Sequence, residues 1–270
     1  MPAGDTIFRV AQALQRALAG HVVERFESVL PALTRVDHDR PIAGRTVGSV
    51  SSRGKHLLIA FSGDLVLHTH MRMNGAWHLY RRSGPWRRPA RDMRVLVATA
   101  DVVAVGFNVP VAEFLSPRDL ARHRELAALG PDLLDRAFDA AEALRRVRAH
   151  PADLIADVLL NQRVASGLGN VLKSEVLFVS RIHQFARVAD IADADLNRIL
   201  EVARELMAMN ATAGRYRGRQ TTRSMDPNAK LWVYGRAGRP CRKCGTPIAA
   251  RKTGLDARLT YWCPRCQGPA

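Results

Sequence analysis

CRKCGTPIAARKTGLDARLTYWCPRC, running from Cys241 to Cys266, is the stretch that decides the fold of this chain. Two CxxC pairs, Cys241 with Cys244 and Cys263 with Cys266, stand eighteen residues apart, a spacing that lets two thiolate knuckles meet around one tetrahedral Zn²⁺. Four thiolates leave no open coordination position, so the expected zinc is structural rather than catalytic. A redox CxxC is the competing reading. The doubled pair, the knuckle residues Gly245 and Pro264, and the lack of a thioredoxin-like βαβ pattern all speak against it. Between the knuckles, Ile248 to Trp262 reads as a β-hairpin bearing Arg251, Lys252 and Arg258. Such a hairpin suits a nucleic-acid groove or a phosphate grip, and on charge alone it suits a solvated basic face equally well.

All four cysteines fall in the last 30 of 270 residues, which in a reducing compartment argues for metal and against disulfides. No run of 18 apolar residues and no charged-then-apolar leader is present, so a soluble, cytosolic protein is expected. The composition is that of a folded globule, 47% hydrophobic and 24% charged, and the length allows one large domain or two smaller ones. The charge is not ordinary: 41 Lys and Arg against 25 Asp and Glu leave +16. A polyanion accounts for that excess, and nucleic acid fits better than a membrane surface, because Arg is spread through the chain and not gathered on one amphipathic helix.

Toward the N-terminus, Gly4 to Gly20 places Ile7, Val10, Ala11, Leu14 and Leu18 at helical spacing, with Asp5 or Thr6 expected to cap its start and Gly20 to end it. From His21 to about Leu115 the pattern becomes short β-runs: Lys55–Phe61, Leu65–His70, Arg94–Ala98 and Val102–Phe107, with Ser62-Gly63-Asp64 and Thr99-Ala100-Asp101 as turns. A β-sandwich is expected there. Arg81–Arg91 holds five Arg with Gly84, Pro85 and Pro89 and reads as an exposed loop. After Ser116-Pro117, Ala, Leu and Arg at helical spacing continue to about Ala213, and Arg215–Asp226 reads as a basic loop leading to the cysteine module. The expected organisation is α+β: residues 1–115 a β-sandwich with a leading helix, 116–225 a helical domain, and 226–270 the zinc hairpin.

Four separated segments together resemble the formamidopyrimidine-DNA glycosylase and endonuclease VIII family. Met1-Pro2-Ala3-Gly4-Asp5-Thr6 resembles the Pro-Glu-Gly-Asp-Thr opening of the endonuclease VIII branch, and Ser52-Arg53-Gly54-Lys55-His56-Leu57 resembles the strand that carries its catalytic lysine. Gly167-Leu168-Gly169-Asn170 with Ser174-Glu175 resembles the family's helix–two-turn–helix, and Tyr234-Gly235-Arg236, Gly238 and Cys241 its approach to the zinc hairpin. The resemblance runs through essentially the whole chain. It implies a bifunctional DNA glycosylase and abasic-site lyase of base-excision repair, a monomer acting on double-stranded DNA with oxidised bases or abasic sites, with one structural Zn²⁺.

The resemblance also implies roles. Pro2, once Met1 is removed, presents a secondary amine with a reference pKa of about 7.7–8.0 that can attack C1′ and form a Schiff base. Lys55 assists as an acid or electrostatic partner, Asn170 holds a phosphate beside a helix N-terminus, and Arg258 grips phosphate at the lesion and aids δ-elimination. Met73 matches the wedge that fills the gap left by a flipped nucleotide, with Arg72 as a neighbouring DNA contact. Gly106-Phe107-Asn108-Val109-Pro110 lacks the Arg-Arg-Phe-Gly pattern of the formamidopyrimidine branch, which favours the endonuclease VIII branch and oxidised pyrimidines. Ala3 stands where the family has a glutamate that donates a proton during base departure, so base excision is expected to be impaired and lyase action partly kept. A non-catalytic DNA-binding protein is the alternative from another class. A ribosomal or RNA-binding zinc-ribbon protein would account for charge and cysteines but not for the Pro2 and Lys55 segments.

Overall fold

The computed structural model describes residues 3–212, 218–226, 228–253 and 257–268. Two compact units divide the chain, Met1–Ala128 and Leu129–Ala270.

The first unit opens with helix α1 (Gly4–Leu18), whose Ile7, Ala11, Leu14 and Leu18 are buried as the spacing predicts. Its start differs from expectation. Ala3, and neither Asp5 nor Thr6, is the N-cap, and it caps through its carbonyl, which accepts from Thr6 N and Ile7 N at 2.9 and 3.1 Å. Asp5 is fully buried in the first turn, two residues past the N-cap. Helix α2 (Pro31–Asp39) follows the first strand, β1 (Arg25–Ser28).

Two antiparallel sheets make the sandwich. One has the order β1, β6 (Met93–Ala98), β7 (Val102–Phe107), β5 (Ala76–Arg81); the other has β2 (Val47–Arg53), β3 (His56–Phe61), β4 (Leu65–His70), β8 (Val111–Leu115). Their inner faces meet in one core, Val50, Leu57, Ile59 and Leu67 from one sheet with Val95, Val97 and Ala104 from the other, and α1 adds Ile7, Leu14 and Leu18. Ser62-Gly63-Asp64 is the turn between β3 and β4, with Gly63 and Asp64 both left-handed at φ 74° and 55°. The basic loop after β5 is not merely solvated. Trp86 stacks on Tyr80 with centroids 6.2 Å apart and meets Phe107 edge-on, while Arg87 N donates to the Tyr80 hydroxyl. Two short helices, α3 (Pro117–Arg122) and α4 (Arg124–Ala127), close this unit.

The second unit is helical around α5 (Ala140–Arg148), α6 (Ile155–Val158), α7 (Asn170–Ser180) and α8 (Asp193–Thr212), packed through Val147, Ile155, Leu172, Val176, Ile199 and Met207. The hairpin β9 (Ala249–Thr253) and β10 (Arg258–Trp262) pairs antiparallel as the spacing predicts and leads into the one-turn α9 (Pro264–Gln267).

Candidate active site and zinc module

The cysteine module assembles as its spacing requires. The four thiols are unbridged, Cys241 and Cys266 sulfurs lie 3.9 Å apart, Cys244 and Cys263 sulfurs 3.4 Å apart, and all four fall within 4.8 Å of one another. Tetrahedral Zn–S bonds of about 2.3 Å place sulfurs about 3.8 Å apart, so the donor set fits one structural Zn²⁺. Backbone N–H groups of Lys243 and Cys266 point at the Cys241 and Cys263 sulfurs, at 3.4 Å each, and support thiolate charge.

Helix α7 ties this module down. Its first residue, Asn170, donates from Nδ2 to the Leu259 carbonyl at 2.9 Å, and its Oδ1 is buried with no hydrogen-bond partner among the described residues. Lys173, fully buried, donates to Thr260 Oγ1 at 2.6 Å, and Tyr261 N donates to Ser174 Oγ at 3.3 Å. Three consecutive residues of β10 are thus fastened to three positions of α7. Arg258 starts the same strand; burial, opposed in part by the Asp157 charge and helped by the smaller effect of the Arg258 charge, holds the Lys173 ammonium down at about 8. Asn170 and Arg258 are therefore gathered on one helix-and-hairpin seam, with Lys173 between them as a residue that sequence reasoning missed. Of the other hairpin cations, Arg251 lies over the Phe185 ring at 4.0 Å and so is committed to a cation–π contact.

Glu175 is the hub of the seam. Its buried carboxylate accepts from Trp232 N, Val233 N and Tyr234 N at 2.8, 2.9 and 2.8 Å, and from the Thr221 hydroxyl. The Ser174-Glu175 pair of the motif is thereby explained: one residue holds the hairpin and the next holds the segment that approaches it.

In the first unit, Lys55 is not on a strand, contrary to the Lys55–Phe61 expectation. Arg53 pairs with His56, leaving Gly54-Lys55 as a two-residue turn in which Gly54 takes φ 58°. A first turn residue with positive φ is what matches the twist of the flanking strands, and only glycine takes it cheaply. Lys55 itself is 7% exposed. Its charge reaches His70, which burial and then the Arg72 and Lys55 charges hold at about 4. His70 is a further site residue that the sequence reading passed over; its Nδ1 accepts from Arg72 N at 3.0 Å and so shapes the next turn.

That turn carries Arg72 at φ 47° and ends at Gly75, where a Cβ would lie 2.6 Å from the Met71 carbonyl oxygen. Within it the two methionines divide: Met71 is core, and Met73 stands 54% exposed. Arg72, Met73 and Asn74 line a recess of about 450 Å³ together with Arg94, Asn108, Val109 and Pro110. The loop whose role could not be placed from sequence thus faces the Met73 turn. Ala3 is buried at the start of α1, and Pro2 lies outside the described residues. Lys55, Arg72 and Met73 belong to the first unit, Asn170, Arg258 and the cysteines to the second.

Comparison with known proteins matches three family models in order along the chain. They are the formamidopyrimidine-DNA glycosylase N-terminal domain at residues 1–121, the formamidopyrimidine-DNA glycosylase H2TH domain at 129–221, and the zinc finger found in FPG and IleRS at 238–268. A probable endonuclease 8 2 of Streptomyces coelicolor is 39% identical, over 100% of this chain and 95% of that protein. The DNA-(apurinic or apyrimidinic site) lyase Nei2 of Mycolicibacterium smegmatis is 38% identical over 99% of each chain. Among solved structures, Lactococcus lactis Fpg in complex with a DNA containing N7-benzyl-Fapy-dG shares the fold at TM-score 0.83 and 23% identity, covering 99% of this chain and 100% of that one. With its whole length matched in this way, the chain belongs to the formamidopyrimidine-DNA glycosylase and endonuclease VIII family.

Proposed function

We propose that this protein is a base-excision-repair DNA glycosylase and abasic-site lyase of the endonuclease VIII branch, acting on double-stranded DNA with oxidised pyrimidines or abasic sites. The observation that carries the reading is full-length similarity, at 38% identity, to a relative named as an abasic-site lyase. The seam of Asn170, Lys173 and Arg258 supports it, since a helix N-terminus beside cationic side chains is a phosphate site. No helix among the described residues is long and apolar enough to cross a membrane, and we place the protein in the bacterial cytoplasm, on nucleoid DNA, as a monomer.

In this mechanism the Pro2 nitrogen attacks C1′, the glycosidic bond breaks, and the base leaves with its electron pair. The iminium then acidifies the C2′ proton, whose loss expels the 3′ phosphate by β-elimination; δ-elimination expels the 5′ phosphate. Lys55, held on its glycine turn, supplies positive charge beside His70, and Arg258 and Asn170 hold phosphate. Met73 with Arg72 fills and flanks the gap left by the flipped nucleotide. Ala3 offers no proton for base departure, so an abasic site is the better substrate. That same alanine favours a second reading, a damage-recognising DNA-binding protein without catalysis.

Borohydride trapping separates the two on duplexes carrying a preformed abasic site or thymine glycol. The proposal expects a covalent adduct on the abasic duplex, weak or no adduct on thymine glycol, and loss of both when Met1 is retained. Intact binding with no adduct on either duplex would establish the non-catalytic reading.

A further inference from the structure

Behind the Lys55 turn the sandwich buries a group of imidazoles that the reaction does not use. His68 on β4 and Glu113 on β8 face each other in register across the antiparallel pair, and His123, between α3 and α4, brings in a third side chain. Glu113 Oε1 lies 2.9 Å from His68 Nδ1 and 3.0 Å from His123 Nε2, and the three donor atoms all fall within 4.8 Å of one another. On its far side His68 Nε2 is 2.8 Å from His56 Nδ1.

We propose that His68, Glu113 and His123 form a second metal site in this molecule, for a divalent cation of the zinc, cobalt and nickel class, with His56 orienting His68 from behind. Two imidazoles and one carboxylate are the donor set such borderline cations take, whereas magnesium and calcium prefer oxygen donors alone. The spacing is close to that of a metal site closed by hydrogen bonds: donors about 2.1 Å from a cation stand about 3–3.5 Å from each other, and the carboxylate-to-nitrogen distances of 2.9 and 3.0 Å need to open by only roughly a few tenths of an ångström to admit one. Strand pairing fixes two of the three ligands, so only His123 needs to rotate. The His68 side chain is 0% exposed while those of His123 and Glu113 are 17% and 39% exposed, which leaves an entry and a place for a water ligand.

The hydrogen bonds favour the same reading, since both rings reach one carboxylate oxygen and His68 is linked onward to His56. Without metal, the two rings each give an N–H to the same oxygen, and the cation takes the place of those two protons. The His68 proton moves to Nε2 and donates to His56 Nδ1, which shifts its own proton to Nε2. The His123 proton moves to Nδ1, where the weak 3.4 Å bond from Leu126 N is given up. Each imidazole stays neutral and no proton is released. Because the His56 ring packs edge-on against His70 with centroids 4.6 Å apart, occupancy changes the hydrogen-bonding state of the side chain next to Lys55 and the Arg72 turn.

The test is equilibrium dialysis of the full chain, already holding its four-cysteine zinc, against Zn²⁺ and Co²⁺ with metal analysis. Wild type should take up a second equivalent, and the Co²⁺ form should show weak visible d–d bands without thiolate-to-cobalt charge transfer. His123→Ala and Glu113→Gln should lose that second equivalent and keep the first, while His38→Ala, at an exposed side chain, should keep both. Imidazole ¹⁵N spectra of wild type alone give a readout that needs no variant: the His68 and His123 ring nitrogens should move on saturation with Zn²⁺. A single equivalent in wild type, a second equivalent that survives in both ligand variants, or unmoved imidazole resonances would each overturn the site and leave a hydrogen-bonded network only.

Discussion

Replacing Glu175 with alanine removes the acceptor on which three backbone donors converge. Trp232 N, Val233 N and Tyr234 N lie 2.8–2.9 Å from its oxygens, the Thr221 hydroxyl also donates, and the residue is fully buried, so water does not simply take over. Each buried donor left unmade costs about 1–3 kcal/mol, which for three donors gives about 3–9 kcal/mol by simple addition. Neighbouring donors relax together and a side-chain-sized void admits some water, so the expected loss is about 3–5 kcal/mol, the range for breaking a buried charged cluster. That is a large part of a domain stability of about 5–15 kcal/mol. Glu175→Gln keeps one acceptor oxygen but turns an amide toward donors, and should lose about half as much. Urea unfolding followed by tryptophan fluorescence, with amide exchange at residues 232–234, reads both the global and the local effect. A loss below about 1 kcal/mol for Glu175→Ala, or unchanged exchange at those amides, would refute the account of Glu175 as the hub of the seam.

Lys173 is protonated more readily unfolded than folded, because its folded pKa of about 8 lies below the ordinary 10.5. The unfolded chain therefore holds more protons between these values, and stability contributed at this position rises as pH climbs through that window. Lys173→Met should abolish the rise, seen as a wild-type-minus-variant difference in urea midpoint that grows with pH; a flat difference would contradict it. Gly75→Ala pushes a Cβ to 2.6 Å from the Met71 carbonyl oxygen and should cost roughly 1–3 kcal/mol in thermal or urea unfolding. Chelating the zinc should free the ties from Asn170, Lys173 and Ser174 to β10, so that duplex binding falls while circular dichroism of the β-sandwich persists. Ala3→Glu should raise excision of thymine glycol by roughly 100-fold or more and leave cleavage of a preformed abasic site nearly unchanged. Equal rates before and after would show that the missing carboxylate is not what limits base removal.

What could be read along the chain, and what could not, divides by the range of the interaction. The zinc knuckles are two local CxxC turns, and α1 is one local periodicity, so spacing alone placed Cys241, Cys244, Cys263, Cys266 and Leu14 correctly. The cap of α1 was misplaced because a main-chain carbonyl, at Ala3, does the work that side-chain chemistry suggested for Asp5 or Thr6. Lys55 adjoins the apolar run that ends at Phe61 and reads as part of that strand, while the two-residue turn is visible only once Arg53 is seen to pair with His56. The remaining features are tertiary. Glu175 meets donors 57 to 59 residues away, Glu113 meets His68 across 45, and the loop at Asn108 shares a recess with Met73 only through the register of the sheets.

The same division explains which parts of the site tolerate change. Met73 projects from a turn whose geometry rests on Gly75 and on the His70 bond to Arg72 N, so the frame of this exposed side chain is set locally. Lys173 and Glu175 are the reverse: each touches specific atoms on another segment, and neither has a local reason to be charged. A buried charge that no local pattern requires costs stability unless a partner elsewhere repays it. In this chain Lys173 meets the strand that Arg258 starts, and Glu175 meets the 232–234 segment that leads to the first cysteine pair, so both charges on α7 have their partners on the C-terminal module.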